Sequence, residues 1–306
     1  MSTQKKQEIK NVCVIGSGFM GMQIEILCAI YGYKVTAHDI SQKALDKALK
    51  THQSIIQKLV SAKKKSQRDT QAILNRITYT TDIKQAVAKA DIVIESVPED
   101  LDLKRKVFSE LDRLCPPHTI IATGASVFKV SSLENVTQRK KKLLNMHFYP
   151  PIWERPVVEL MGGTKTSKST IETAKRFVRS MDLVPLVVKK EIAGFLFNRI
   201  WGAIKNEALF LVDRGYASFE DIDRAWMINT GMKIGPFGLM DMVGLDVIYK
   251  VCMAYYKETQ DEREKPPKIL IEKVKKGELG VKTQKGFYSY PNPAYQNPNW
   301  LKKGSD

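Results

Sequence analysis

Residues 11–40 read NVCVIGSGFMGMQIEILCAIYGYKVTAHDI, and the order of apolar runs and glycines within them decides the fold of the first part of the chain. The run Val12–Ile15 predicts a buried strand, Gly16-Ser17-Gly18-Phe19-Met20-Gly21 a tight turn, and the pattern from Met22 to Tyr31 a helix. A second apolar run, Lys34–Ala37, ends at His38-Asp39, which places an acidic residue 21 positions after Gly18. Gly16 permits the tight turn, Gly18 lets the backbone approach a pyrophosphate that a Cβ would push away, and Gly21 lets helix and strand pack closely. The unpaired N–H groups at the helix N-terminus favour an anion such as a pyrophosphate. Asp39 is placed to accept from adenosine ribose hydroxyls and to repel a 2′-phosphate, and Ile40 and Ser41 offer that phosphate no cation. The expected cofactor is NAD, held by Gly16, Gly18, Phe19, Met20, Gly21 and Asp39. A glycine turn closing a βα unit without a ligand would leave the same local pattern.

A chain of 306 residues is long enough for two domains with separate cores. Its 43% hydrophobic and 27% charged residues are those of a globular protein, not a disordered one. Glu25 interrupts the longest apolar run well short of the roughly 18 residues that span a bilayer, so no membrane partner is expected. Met1–Lys10 is polar and lysine-bearing, unlike a signal peptide. Cys13, Cys28, Cys115 and Cys252 are scattered, mostly in apolar runs, which fits buried thiols in a reducing cytoplasm and no metal cluster. The formal net charge of +16 concentrates at Lys63–Lys65, Arg139–Lys142, Lys273–Lys276 and Lys302-Lys303. These clusters are not interleaved with aromatics and accompany no helix-turn-helix, RNA-binding or zinc-finger signature, so no nucleic-acid partner is expected. A local patch for a phosphate-bearing substrate, or a solvated basic surface, accounts for them.

Strands and helices alternate through the first 190 residues. Ser41 caps a helix running to about Ala62, and a second helix covers about Ser66–Leu74 before a strand at Ile77–Thr80. Asp82 caps a short helix, Asp91–Ser96 reads as a buried parallel strand, and Leu101–Leu114 is the next helix. Strands follow at Thr119–Thr123, Leu143–His147, Val157–Met161 and Val184–Val188, with a helix at Thr166–Met181. The fold class is α/β, a Rossmann-type doubly wound, mainly parallel sheet, in which ligands gather at strand carboxyl ends, here Glu95, Ser96 and Glu99. Beyond Lys190 only helical patterns remain, so the expected domains are 1–190 and an all-α 191–306. Ile192–Val212 is apolar nearly all round and predicts a helix buried on every side, which in so small a domain suggests a homodimer interface. Helices at Phe219–Ile228, Leu239–Thr259 and Lys268–Lys276 complete that domain, and Pro291–Asp306 reads as a loosely ordered tail.

One of four histidines stands out. His38, His52 and His118 read as surface residues, whereas His147 ends a buried strand at the cofactor edge of the sheet. Glu159, inside the apolar run Val157–Met161, is a carboxylate that needs a partner, and His147 is the one at hand.

With these residues in place the chain resembles the L-3-hydroxyacyl-CoA dehydrogenases over essentially its whole length. The resemblance rests on GSGFMG with Asp39, Glu95 with Glu99 and Lys104, the serine of GASVFKVSSL, His147-Phe148 with Glu159, GFLFNR at 194–199, GPFGLMDMVGLD at 235–246 and KTQKGFYSY at 282–290. It implies that His147 is the general base for a substrate 3-hydroxyl and that Glu159 orients the imidazole and stabilises its protonated form. It also implies substrate contacts from Ser126 and Asn198, cofactor contacts from Glu99 and Lys104, an acyl-CoA thioester substrate, and a use for lysines near Lys63–Lys65 with CoA phosphates. Two departures bear on the substrate. The family reads Asn-Thr-Ser-Ser where this chain has Gly124-Ala125-Ser126-Val127, and Asn-Pro follows its His-Phe-Phe where this chain has Tyr149-Pro150-Pro151. Ile152-Trp153-Glu154-Arg155 is also unusual in bulk and charge. A related dehydrogenase of a free 3-hydroxy acid, of the carnitine or gulonate type, and a binding protein that kept the fold without turnover are the alternatives.

Overall fold

The apolar runs of the first part of the chain form strands that lie side by side in a computed structural model describing residues 8–61 and 67–304. Lys63–Lys65, and the expected helix boundaries at Ala62 and Ser66, lie outside the described residues. Two compact units, Met1–Leu196 and Phe197–Asp306, divide the chain.

The first unit is one eight-stranded sheet. Its strands are β1 (Asn11–Ile15), β2 (Lys34–His38), β3 (Ile77–Thr80), β4 (Ile92–Glu95), β5 (Ile120–Thr123), β6 (Leu143–Phe148), β7 (Val157–Gly162) and β8 (Val184–Val188), in the order β3-β2-β1-β4-β5-β6-β7-β8. All neighbours are parallel except β6 and β7, which run antiparallel. Helices α1 (Phe19–Ile30), α2 (Gln42–Ser61), α3 (Gln67–Leu74), α4 (Ile83–Val87), α5 (Leu101–Leu114) and α6 (Lys168–Arg179) connect them. Alternate residues of each strand face opposite sides. Val12, Val14, Ile92 and Ile94 pack with Ile24 and Ile26 of α1, Leu45 of α2 and Phe177 of α6. Cys13, Ile15, Val93 and Ile121 pack on the other face with Val87 of α4 and Phe108 and Leu111 of α5. Covering both faces makes the central strands apolar throughout, as their sequence requires. The strand order reverses between β1 and β4, which creates the crevice where such sheets bind ligands.

Residues 191–196, expected in the second domain, belong to the first unit. Phe195 is buried with Met161 and Val188, and Ile192 packs against them, so this segment is anchored to β7 and β8.

The second unit contains α7 (Phe197–Asp213), α8 (Phe219–Thr230), α9 (Pro236–Val243), α10 (Leu245–Thr259) and α11 (Lys268–Lys275). The helix expected over Leu239–Thr259 is broken in two at Gly244, whose φ of +100° no L side chain adopts easily. Nor is α7 enclosed on every side. Lys205, Ala208 and Leu209 are buried, while Phe197, Ile200 and Phe210 are exposed on the single chain. The tail beyond Pro291 is packed rather than loose, because Tyr295 and Trp300 are buried in the core of this unit and Arg224 lies 4.3 Å over the Trp300 ring.

Two buried acids organise the second unit. Asp223 of α8 accepts from the Phe237 N–H at 2.8 Å, the Gly238 N–H at 3.0 Å and the Tyr288 hydroxyl at 2.9 Å, so it caps α9 from another helix. Burial pushes its carboxyl up to about 6, against the pull of those donors. Asp241 accepts from the Phe287 and Tyr288 N–H groups and the Tyr290 hydroxyl. A Cβ on Gly286 would lie 2.1 Å from Asp241 Oδ1, so the GPFG and KGFYSY stretches act here as cradles for buried carboxylates. All four cysteines are free and buried. Among the described residues no helix is long and apolar enough to cross a membrane, and no group of His, Cys, Asp or Glu is arranged to hold a metal.

Replacing Asp223 by Ala strands three donors in the core and should destabilise this unit by roughly 3 kcal/mol or more. Urea unfolding followed by tryptophan fluorescence, which reports mainly this unit because Trp201, Trp226 and Trp300 lie in it, checks the loss.

Candidate active site

The turn after β1 has the geometry that a dinucleotide demands. Gly16 adopts φ +97° and its N–H donates to His38 at 2.7 Å, closing the turn against the end of β2. A Cβ on Gly21 would sit 1.8 Å from the Gly16 carbonyl oxygen, so α1 can start this close to β1 only with glycine there. Gly18 faces open space, its helix start carries no side-chain cap, and Phe19 is exposed beside it while Met20 is half-buried. Free N–H groups at an uncapped helix start are the fit that a pyrophosphate requires. Asp39 braces this loop, accepting from the Ser17 N–H at 3.0 Å and the Ser41 N–H at 2.9 Å. On the far side of the turn, Ser96 donates its N–H to Ile15, so the carboxyl end of β4 lies against the loop.

The antiparallel register of β6 and β7 sets His147 directly opposite Glu159, and opposed residues share one face of the sheet. His147 Nδ1 lies 3.4 Å from Glu159 Oε2, and Ser126 Oγ, just past β5, lies 3.1 Å from His147 Nε2. Phe195 stacks on the imidazole at 4.6 Å between centroids and 4° between planes. To reach that position Gly194 and Phe195 take φ of +80° and +55°, and for a phenylalanine the second is a strained conformation. Glu99 accepts from the Ser126 and Val127 N–H groups at 2.9 and 3.0 Å and so fixes the loop that carries the serine. Lys104 is enclosed behind it, 2.8 Å from Glu95 and 3.4 Å from Glu99. Thus Ser126, His147 and Glu159 meet, Glu99 holds Ser126, and Lys104 holds the acids. Asn198 begins the helical unit, in the first turn of α7.

Residues 11–192 match the family described as 3-hydroxyacyl-CoA dehydrogenase, NAD binding domain, and residues 194–290 match its C-terminal domain. The chain belongs to the 3-hydroxyacyl-CoA dehydrogenase family. It is 35% identical over 279 residues to a 3-hydroxybutyryl-CoA dehydrogenase of Clostridioides difficile, covering 91% of this chain and 99% of that one. The solved (S)-3-hydroxybutyryl-CoA dehydrogenase of Ralstonia eutropha superposes with a TM-score of 0.86 at 34% identity, covering 93% and 100% of the two chains. A solved diketoreductase that acts on dicarbonyl compounds matches with a TM-score of 0.81 at 36% identity, covering 92% and 99%. This chain is therefore an NAD-dependent enzyme of that family, and its first unit is the NAD-binding domain.

Within this 3-hydroxyacyl-CoA dehydrogenase fold the departures have structural reasons. A Cβ at Gly124 would lie 2.9 Å from the Glu95 carbonyl oxygen, so an asparagine there needs a displaced backbone. An asparagine stands nearby instead. Asn145, on the same face of β6 as His147, is fully buried, donates to the Ala125 carbonyl at 2.8 Å and makes no hydrogen bond through Oδ1. Sequence reading missed it, although two polar residues spaced two apart in an apolar strand were the available signal. Tyr149, which the sequence marked only as part of a departure bearing on the substrate, donates its hydroxyl to Glu159 Oε2 at 2.6 Å, and the place of Phe195 over His147 was not anticipated.

His52 was expected at the surface and is fully buried instead, because Leu45, Ala48, His52 and Ile56 form the inner stripe of α2. His38 is buried too, at the end of β2, and burial lowers its proton affinity. His52 Nε2 lies 2.8 Å from the Met22 carbonyl oxygen, so it carries the proton, and Nδ1 accepts from the Tyr79 hydroxyl at 2.7 Å. Beside it Glu25, with no exposed surface, accepts from the Ser17 hydroxyl at 2.7 Å, while its Oε2 makes no hydrogen bond. Burial pushes Glu25 up to about 8 and His52 down to about 4, so both are neutral near pH 7. The basic residue Arg139 is structural as well, paired to Asp112 at 2.9 Å.

Because the Glu25 carboxyl is raised from 4.5 to about 8, its contribution to stability is full below the lower value and is lost as pH rises through the upper one. Glu25→Gln should flatten the decline of melting temperature over that interval, and the parent should lose at most about 1.4 kcal/mol per pH unit from this group. Thermal melts at intervals from pH 5 to 9 check it.

Proposed function

We propose that this protein oxidises L-3-hydroxyacyl-CoA thioesters to 3-oxoacyl-CoA reversibly, using His147 as the general base. The observation that carries the reading is the placement of His147 with Nδ1 toward Glu159 and Nε2 toward the Ser126 hydroxyl, since this leaves Nε2 as the atom that meets a substrate hydroxyl. The Ser126 hydroxyl orients the substrate oxygen, and Nε2 takes the proton as the carbon–hydrogen bond breaks. Glu159 then faces the imidazolium and stabilises it. Bound NAD supplies the hydride acceptor. The glycine turn at Gly16, Gly18 and Gly21, with Phe19 and Met20, holds its pyrophosphate, and Asp39 its adenosine ribose. Glu99 contacts the cofactor from the loop it fixes, and enclosed Lys104 acts through Glu95 and Glu99. Asn198 supplies a further polar contact to the substrate.

A second reading, a dehydrogenase of a free 3-hydroxy or dicarbonyl compound, is favoured by the rebuilt surroundings of His147 at Gly124, Asn145 and Tyr149 and by the likeness to a diketoreductase. Exposed apolar side chains at Phe197, Ile200 and Phe210 of α7 support a homodimer.

Following NADH absorbance with acetoacetyl-CoA, longer 3-oxoacyl-CoA thioesters and free acids tests the reading. Oxidation of NADH only with the CoA-free compounds selects the second reading, and none with either rejects both. His147→Gln should lower kcat by roughly 10²–10⁴-fold with NAD affinity near normal. Replacing Asp39 by Ala should reduce the preference for NAD over NADP, measured as the ratio of kcat/KM values.

A further inference from the structure

Glu159 Oε2 faces two donors at once. The Tyr149 hydroxyl donates to it at 2.6 Å, within the range of a charge-assisted O–H···O⁻ bond. His147 Nδ1 stands 3.4 Å from the same oxygen and makes no hydrogen bond. Oε1 is taken by the Leu196 N–H at 3.0 Å. Tyr149 directly follows β6, and its ring meets the imidazole edge-on with centroids 4.6 Å apart. Tyr149, His147 and Glu159 are all buried, so water does not replace any of these bonds.

We propose that Tyr149 is a positioning residue that competes with His147 for Glu159 and thereby sets the pH at which the His147–Glu159 pair takes up its proton. The inference rests on the reading of His147 as the general base. A phenol satisfies the carboxylate without bringing a positive charge, so an imidazolium gains less from it than from an unshared carboxylate. Removing the hydroxyl takes a donor from that carboxylate, which favours a proton on the pair wherever it settles. On His147 the proton consumes the lone pair of Nε2. On Glu159 it is donated to Nδ1, which moves the ring proton to Nε2 and again removes the base. Both outcomes disable oxidation at a higher pH than in the parent.

Other groups from the packed elements of this unit face the pair differently. Ser126, past β5, lies on Nε2, with Glu99 behind it and Lys104 and Glu95 behind Glu99. The segment after β8 contributes the Phe195 ring and the Leu196 N–H, neither of which titrates. Tyr149 is thus a titratable neighbour that meets the carboxylate on the oxygen turned toward His147.

The test compares the NAD-bound parent with Tyr149→Phe by two readouts. One is the NMR titration of the His147 ring, assigned by its disappearance in His147→Gln. The other is the pH profile of kcat/KM for oxidation of 3-hydroxybutyryl-CoA. In Tyr149→Phe both midpoints should rise by about 0.5–1 on the pH scale, so that oxidation below the midpoint slows about 3–10-fold while the alkaline plateau stays near the parent. Reduction should persist to higher pH by the same interval. Tyr149→Met, also lacking a donor, should move the midpoint the same way. In a Glu159→Gln background, Tyr149→Phe should move neither readout. An unchanged or lowered midpoint, or an equal rise in the Glu159→Gln background, overturns the proposal. The NMR midpoint needs no turnover, so a raised midpoint without oxidation of the thioester would reject the assigned reaction and leave the Tyr149 coupling intact.

Discussion

A carboxylate removed from water has to be surrounded by donors, and Glu159 is the one on which this site depends. It has no exposed surface, and the protein brings to it an N–H from Leu196, a hydroxyl from Tyr149 and the imidazole of His147. Each comes from a different part of the first unit. The antiparallel pairing of β6 with β7 supplies His147, the residue after β6 supplies Tyr149, and the left-handed Gly194-Phe195 segment after β8 supplies the main-chain donor. A buried charge so enclosed costs much if any partner is lost. That dependence makes the arrangement of strands and the orientation of the imidazole a single problem.

The same device recurs through the molecule with different outcomes. Glu95 is held by Lys104, the Val97 N–H and the Thr123 hydroxyl, which ties β4 to α5 and β5 beneath the candidate site. Asp223 and Asp241 each gather two N–H groups and a tyrosine hydroxyl and so knit the helical unit together. Among the described residues Glu25 accepts a hydrogen bond only from the Ser17 hydroxyl, with His52 Nε2 3.4 Å from its other oxygen, and desolvation prevails there, so its carboxyl rises to about 8. Burial raises Asp223 and Asp241 as well, against the pull of their donors. Glu25 lies directly under the glycine turn, held there by the Ser17 hydroxyl.

Local pattern carried far in this chain. The alternation of apolar runs and glycines located all eight strands, because a strand buried on both faces must be apolar at every position and the turns between such strands need particular residues. It failed where a residue's fate depends on a distant surface. His52 looked polar enough for solvent yet fills a slot against α1. The α7 stripe looked too apolar for any exposure yet leaves Phe197 and Ile200 uncovered on one chain. The tail after Pro291 looked unstructured because proline and asparagine hide the two aromatics that anchor it.

The amino-acid sequence by itself determined the glycine turn with its acid at Asp39 and the doubly wound sheet, since spacing and strand periodicity act within a few residues. It marked His147 and Glu159 as candidates to meet without fixing the register that sets them opposite. Only the tertiary structure decided that Tyr149 shares the carboxylate, that Asn145 stands beside Gly124, that Phe195 lies over the imidazole, and that Lys104 faces inward. Those contacts join strands and loops far apart along the chain, and the side-chain alternation that governs one strand carries no information about which neighbour will lie across the sheet.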